Sequence, residues 1–149
     1  MTEEQQKRLE RLYTEQKLTE SNIALMQQRL DTLQVYLTNY RAGLSVLEEI
    51  ENKADGDEML INVGGSIFVE ATLKNPKRVT RGLGSSIRIE QDVETAKKVV
   101  SETVESLGQQ YEKLAQDYQN LVQRAAVLNA QFQQLASQIQ ESQTPSKEE

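Results

Sequence analysis

The sequence predicts an α+β protein that is mainly helical: a long antiparallel coiled-coil hairpin with two β-hairpins at its centre. Three observations carry this. Apolar residues recur at alternating steps of three and four through both outer parts of the chain. The middle, residues 57–91, changes to a step of two. Most helix breakers lie in or beside that middle, where Gly56, Gly64, Gly65, Pro76, Gly82 and Gly84 fall. A 3.5-residue repeat keeps one seam turned toward a partner helix, whereas a two-residue repeat belongs to strands. One domain is expected over residues 1–149: a helix over 2–55, two β-hairpins over 57–91, a second helix over 92–142 and a disordered polar tail over 143–149.

The first helix opens on Thr2-Glu3-Glu4-Gln5, a capping box in which the Thr hydroxyl serves one free amide and the Gln side chain reaches back to another. Its acidic first turn suits the helix dipole. The seam then runs Leu9, Leu12, Gln16, Thr19, Ile23, Met26, Leu30, Leu33, Leu37, Tyr40, Leu44 and Leu47, all in one phase, with Gln16 and Thr19 as its polar members. The helix is expected to end at Ala54-Asp55-Gly56, with Gly56 left-handed beyond the last turn. About fifty residues at 1.5 Å each make an arm on the order of 70 Å.

In the centre, Met59, Ile61 and Val63 alternate with Leu60 and Asn62. After Gly64-Gly65-Ser66, the residues Ile67, Val69, Ala71 and Leu73 alternate with Phe68, Glu70 and Thr72. A Gly-Gly pair between such runs signals a hairpin. Asn75-Pro76-Lys77 makes the connection. A second hairpin follows, with Gly82-Leu83-Gly84-Ser85 as its turn. Four short strands cannot cover both faces alone, and open strand edges invite other chains. Ile61, Val63, Ile67, Val69, Val79, Ile87 and Ile89 are therefore the candidate assembly residues, with packing against the chain's own helices as the competing reading.

Asp92 is placed to cap the second helix, whose seam runs Val93, Ala96, Val100, Val104, Leu107, Tyr111, Leu114, Tyr118, Leu121, Ala125, Leu128, Phe132, Leu135 and Ile139. The successive steps of four around Val100 and Val104 break the alternation once, a stutter that unwinds a supercoil locally. The arms match in length, so residues whose numbers sum to about 143 should lie opposite each other. Gln16 and Thr19 then face Leu128 and Ala125, which weakens the seam there. Beyond that point Leu9, Leu12, Tyr13, Phe132, Leu135 and Ile139 cluster where both ends fray. They are candidates for binding, against an ordinary coiled-coil end.

Composition excludes much. A net charge of −6 lacks the basic footprint that nucleic acid requires. Lys77, Arg78, Arg81 and Arg88 form a small basic group best read as solvated strand and turn residues. No apolar run is long enough to span a membrane, and Met1-Thr2-Glu3-Glu4 does not open like a secretory signal. With no cysteine and no histidine, disulfides, thiol or imidazole catalysis and common zinc sites are absent. No phosphate-binding or dinucleotide motif occurs. The chain is read as no enzyme, with no cofactor and no metal.

The central run LINVGGSIFVEATLKNPKRVTRGLGSSIRIEQDVETAKKVV, set between two helices, resembles the prefoldin α class. It carries the apolar strand at 60–63, the Gly turn, the strand at 67–73, the basic stretch at 77–81, the Gly-x-Gly turn, the aliphatic strand at 87–90 and the acidic cap Asp92. Two hairpins rather than one separate the α from the β class. The chain departs at Asn62, where family members often have Pro, and at Ser85 and Ser86. The resemblance implies a hexamer of two α and four β subunits whose hairpins join into a β-barrel. Coiled coils would project from it, and their tips would hold unfolded polypeptide for a group II chaperonin without ATP. It also implies a cytoplasmic, archaeal-type protein. On this reading Leu9, Leu12, Tyr13, Phe132, Leu135 and Ile139 contact the unfolded client. The alternative is a coiled-coil scaffold or spacer subunit that self-assembles and docks one specific partner.

Overall fold

The computed structural model describes residues 1–143. Its elements in order are α1 (Glu3–Glu51), β1 (Glu58–Gly64), β2 (Ile67–Thr72), β3 (Arg78–Gly84), β4 (Ile87–Asp92) and α2 (Val93–Gln143). The expected disordered tail, residues 143–149, lies from 144 onward outside the described residues, and Gln143 closes α2. The chain divides into two compact units. One combines residues 1–34 with the chain from 110 onward, and the other is Val35–Gln109.

In the first unit α1 begins on the capping box. The Gln5 amide donates to Thr2 Oγ1 at 3.2 Å, and the Thr2 amide donates to Gln5 Oε1 at 2.9 Å. These bonds satisfy donors that no helical carbonyl can reach. The two helical stretches run antiparallel. Gln16 Nε2 donates to Asn129 Oδ1 at 3.3 Å, within two residues of the expected register. The seam positions Leu12, Thr19, Leu30, Leu128 and Leu135 are buried, and Leu9, Ile23, Met26 and Leu33 are partly so. The 3.5-residue pattern thus selects the shielded stripe, with Leu128 fully inaccessible.

In the second unit α1 stops at Glu51, before the expected Ala54-Asp55-Gly56. Backbone bonds three residues back, from the Asn52 amide to the Glu49 carbonyl and from the Lys53 amide to the Ile50 carbonyl, close the last turn. Gly56 does take positive φ, at 86°, but in a β-turn rather than as a helix cap. The cause is Asp57, whose carboxylate accepts the Ala54 amide at 2.7 Å while its own amide bonds to the Ala54 carbonyl at 3.1 Å. The turn is pinned to the far side of the first hairpin, Gly56 N–H to Leu73 at 2.9 Å and Leu73 N–H to Asp57 at 2.8 Å.

β1 pairs antiparallel with β2, and β3 with β4, giving two separate two-stranded sheets. Ile61 lies opposite Val69, and Arg81 opposite Ile89. The turns fall one to two residues later than the glycines suggest. They are Gly65-Ser66, at φ 60° and 61°, and Ser85-Ser86, at 49° and 63°. Gly64 and Gly84 precede them at 101° and 94°. The placement has a steric reason. A φ near 60° is the left-handed region that serine tolerates, whereas a φ near 100° is open to glycine alone. The glycines therefore occupy the bulge beside the turn, and the register shifts at Asn62/Gly64 and Gly82/Gly84. Asn62, at the departure from the family pattern, accepts the Gly64 amide on Oδ1 at 2.9 Å and so fixes the bulge.

Val93 and Ala96 are buried at the start of α2, as are Leu37 on α1 and Met59 on β1. Beyond Ala96 the shielded stripe of α2 widens to pairs, Val99 with Val100, Thr103 with Val104, and Leu107 with Gly108. A run of four-residue steps drifts around the helix and shares shielding between neighbours, as a stutter should.

Candidate functional site

Two surfaces stand out, one in each unit. In the first unit the end where α1 begins and α2 closes carries an apolar cluster. Leu12, Leu128 and Leu135 form its buried centre, and Leu9, Phe132 and Ile139 pack against it. Five of the six residues singled out from sequence are thus brought together here. The sixth, Tyr13, is 52% exposed and points away from the seam. Lys17 stands over the Tyr13 ring at 5.7 Å from its centroid. The same ammonium binds Glu20 at 3.0 Å. That hydrogen bond and charge, with a smaller contribution from Tyr13, raise the Lys17 pKa.

The expected register sets Leu128 opposite Gln16; Leu128 is buried in the cluster with Leu12 and Leu135, and Gln16 bonds to the adjoining Asn129. The seam spacing names Leu128 as a core position, but only side-chain direction shows on which side of the polar positions it packs. Behind the cluster lie Gln16, Thr19 and the ion pair from Arg124 to Glu15. Thr19 is buried with its hydroxyl donating to the Glu15 carbonyl at 2.8 Å.

In the second unit the hairpins present the other surface. Strand alternation and the pairing register put Ile61, Val63, Ile67 and Val69 on one face of the first hairpin, and Val79, Ile87 and Ile89 on one face of the second. Ile61, Val63, Ile67, Val69 and Ile87 are 40–60% exposed, while Val79 and Ile89 are partly buried. Sequence reasoning missed Leu60 and Phe68, exposed on the opposite face of the first hairpin, and Leu83 at the second bulge. Their signal was present in the interleaved positions of the same strands. Val79 shares a hollow of about 520 Å³ with Tyr40, Gly43, Val46, Leu47 and Val100, so the apolar surface continues onto α1.

The second hairpin's other face is charged and largely self-satisfied. Arg78 reaches Asp92 at 3.1 Å and Glu90 at 3.7 Å, and on the apolar side Arg81 Nε donates to Gln91 at 2.8 Å. Asp92, expected to cap α2, ends β4 with its carboxylate on Arg78. Two members of the basic group of the centre, Arg78 and Arg81, are thus taken up by local partners. Among the described residues there is no group of three or more His, Cys, Asp or Glu able to hold a metal ion, and no helix is long and apolar enough to cross a membrane.

Residues 19–138 match the family model described as Prefoldin subunit. The chain belongs to the prefoldin family, in its α class. It is 32% identical over 103 residues to the prefoldin subunit alpha of Archaeoglobus fulgidus, covering 69% of this chain and 74% of that one. In fold it is similar to a filamentous PFD from Methanocaldococcus jannaschii solved by cryo-EM, with TM-score 0.59 and 21% identity over 77% of this chain and 95% of that one. It is also similar to the crystal structure of the prefoldin beta subunit from Thermococcus strain KS-1, with TM-score 0.56 and 17% identity over 85% and 90%. Prefoldin subunits are chaperone subunits rather than enzymes, and this chain's two long helices with two small antiparallel hairpins match prefoldin structures.

Proposed function

We propose that this prefoldin subunit serves an ATP-independent holdase of two α and four β subunits. Its hairpins join an oligomeric β-barrel, and its arm ends capture unfolded polypeptide for a group II chaperonin in the cytoplasm. The observation that carries this reading is that the chain has two apolar surfaces of different character, one in each unit. The hairpin faces, Ile61, Val63, Ile67, Val69, Val79, Ile87 and Ile89, are in large part open and built of strands with free edges, which suits a permanent subunit contact. Of the arm-end residues Leu9, Leu12, Tyr13, Phe132, Leu135 and Ile139, all but the exposed Tyr13 belong to one small apolar cluster, which suits varied apolar clients. Each side chain buried by a client contributes about 1–2 kcal/mol, and several arms acting together supply the rest through effective concentration.

The test is aggregation suppression by the complex assembled with a β-type subunit, comparing the full chain with one trimmed of residues 1–14 and 130–149. Suppression is expected to fall sharply on trimming. Unchanged suppression would remove the arm ends from client binding. A self-assembling scaffold is the second reading, favoured by the likeness to a filamentous PFD. It predicts a homo-oligomer or filament and no defined mixed complex when a β-type subunit is added.

A further inference from the structure

Gly43 lies in the interior of α1, where glycine is among the poorest helix formers. Its φ is not positive, and a Cβ placed there would meet no atom of this chain within 4 Å. Neither backbone conformation nor packing within the chain calls for glycine at this position. It lines an open hollow of about 520 Å³ with Tyr40, Val46, Val79, Thr80 and Val100, room for large side chains from outside. A glycine on such a surface lets another chain come close.

The first hairpin supplies a fitting counterpart. Leu60 pairs with Glu70 and Asn62 with Phe68, so both apolar groups share one face, where Leu60 is 59% and Phe68 57% exposed. Glu58 and Glu70 stand on that face too, in no ion pair among the described residues. Residues 58–72 hold these two acids and no base, whereas residues 78–92 hold three arginines against Glu90 and Asp92, an excess of one positive charge. Arg78 takes both of those acids and leaves Arg88 open, on the same strand face as Thr80 of the hollow. Within one chain hairpin face and hollow both stay uncovered, so each is free for another copy.

We propose that the hollow at Gly43 is the docking site for the first hairpin of a second copy of this chain. Leu60 and Phe68 enter over Gly43, and Glu70 comes to Arg88. The apolar side chains carry the contact, and the opposed charges set its orientation. This junction joins the face of a hairpin to the side of a helix, and it leaves free the strand edges that barrel formation consumes. Two copies meet both in the proposed complex of two α and four β subunits and in a self-assembled scaffold.

The chain holds no cysteine, so introduced thiols report the contact without competitors. A chain carrying Gly43→Cys is refolded together with one carrying Phe68→Cys and treated with a short thiol crosslinker, after circular dichroism has shown each variant to be helical. A linked pair of the two chains is expected. No link, or a yield no higher than that of Phe68→Cys with Val127→Cys, an exposed position in the other unit, overturns the proposal. Gly43→Leu fills the hollow and should weaken self-association on the order of tenfold with helix content kept. Unaltered association of that variant contradicts the docking. Should Gly43→Leu not fold, the charges decide. Glu70→Arg and Arg88→Glu should each weaken association about threefold at low salt and restore it when combined, and failure to restore it also contradicts the docking. No client enters these measurements, so the contact stands or falls apart from the holdase reading.

Discussion

Ser85 and Ser86 hold φ at 49° and 63°, a two-residue left-handed turn made without glycine. Each L-residue in that region costs something that Asn or Gly would not, and the turn type favours Asn-Gly. Ser85→Asn with Ser86→Gly should therefore stabilise the second hairpin by about 0.5–1 kcal/mol, read as a higher urea midpoint of the assembled protein with unchanged slope. At Gly84, φ 94° leaves no such latitude, and Gly84→Ala should lower the midpoint by a comparable or larger amount. The residue scale also sets the pH response. Lys97 donates to Glu51 at 2.7 Å, and this bond and charge raise its pKa above the ordinary lysine value. A raised folded-state value means that the pair contributes fully below the unfolded lysine pKa and is lost as pH rises through the folded one. Stability should thus carry the full Lys97 contribution, unchanging with pH, near neutrality and lose it in the strongly alkaline range, and Lys97→Gln should remove that alkaline step from a pH series of melting curves.

At the scale of elements, the seam and the hairpins differ in how well the sequence reveals them. Period alone identifies which residues of α1 and α2 are shielded, because a helix offers one stripe and Leu12, Leu30, Leu37, Leu128 and Leu135 all lie on it. Period cannot say how far along the partner helix each side chain leans, which is why Leu128 joined the cluster and Asn129 took Gln16. Turn position escaped for another reason. Glycines mark where φ is extreme, and here the extreme lies at the bulge positions Gly64 and Gly84 rather than in the turns themselves. The early end of α1 was also hidden, since it depends on Asp57 reaching back to the Ala54 amide. Leu128→Ala tests the seam. Truncating a fully buried leucine should cost about 2–5 kcal/mol and lower the melting temperature followed by helical circular dichroism. Ile67→Asp or Val69→Asp tests the hairpins. Both positions are about half exposed and outside the helices, so assembly measured by sizing should fail while helix content stays largely intact. Lost helix would instead place the hairpin face inside the subunit's own core.

For the whole molecule the question is what holds copies and partners together, given a net charge of −6 per chain. Like charge opposes association at low salt, and screening relieves it. The proposed contacts through Ile61, Val63, Ile67, Val69, Ile87 and the additional exposed Leu60, Phe68 and Leu83 would be apolar and gain from salt rather than lose. An assembly stitched by ion pairs would behave oppositely, but the pairs of the second hairpin, Arg78 with Asp92 and Glu90, are already closed within one subunit. The mass of the chain mixed with a β-type subunit, followed by light scattering from about 0.05 to 1 M salt, should therefore stay constant or rise in the degree of association. The chain alone should not be monomeric at any salt in this range, because two apolar hairpin faces remain open. Dissociation on adding salt would mean that charge across the interface, rather than these faces, binds the subunits, and would move the assembly surface away from the hairpins' apolar side.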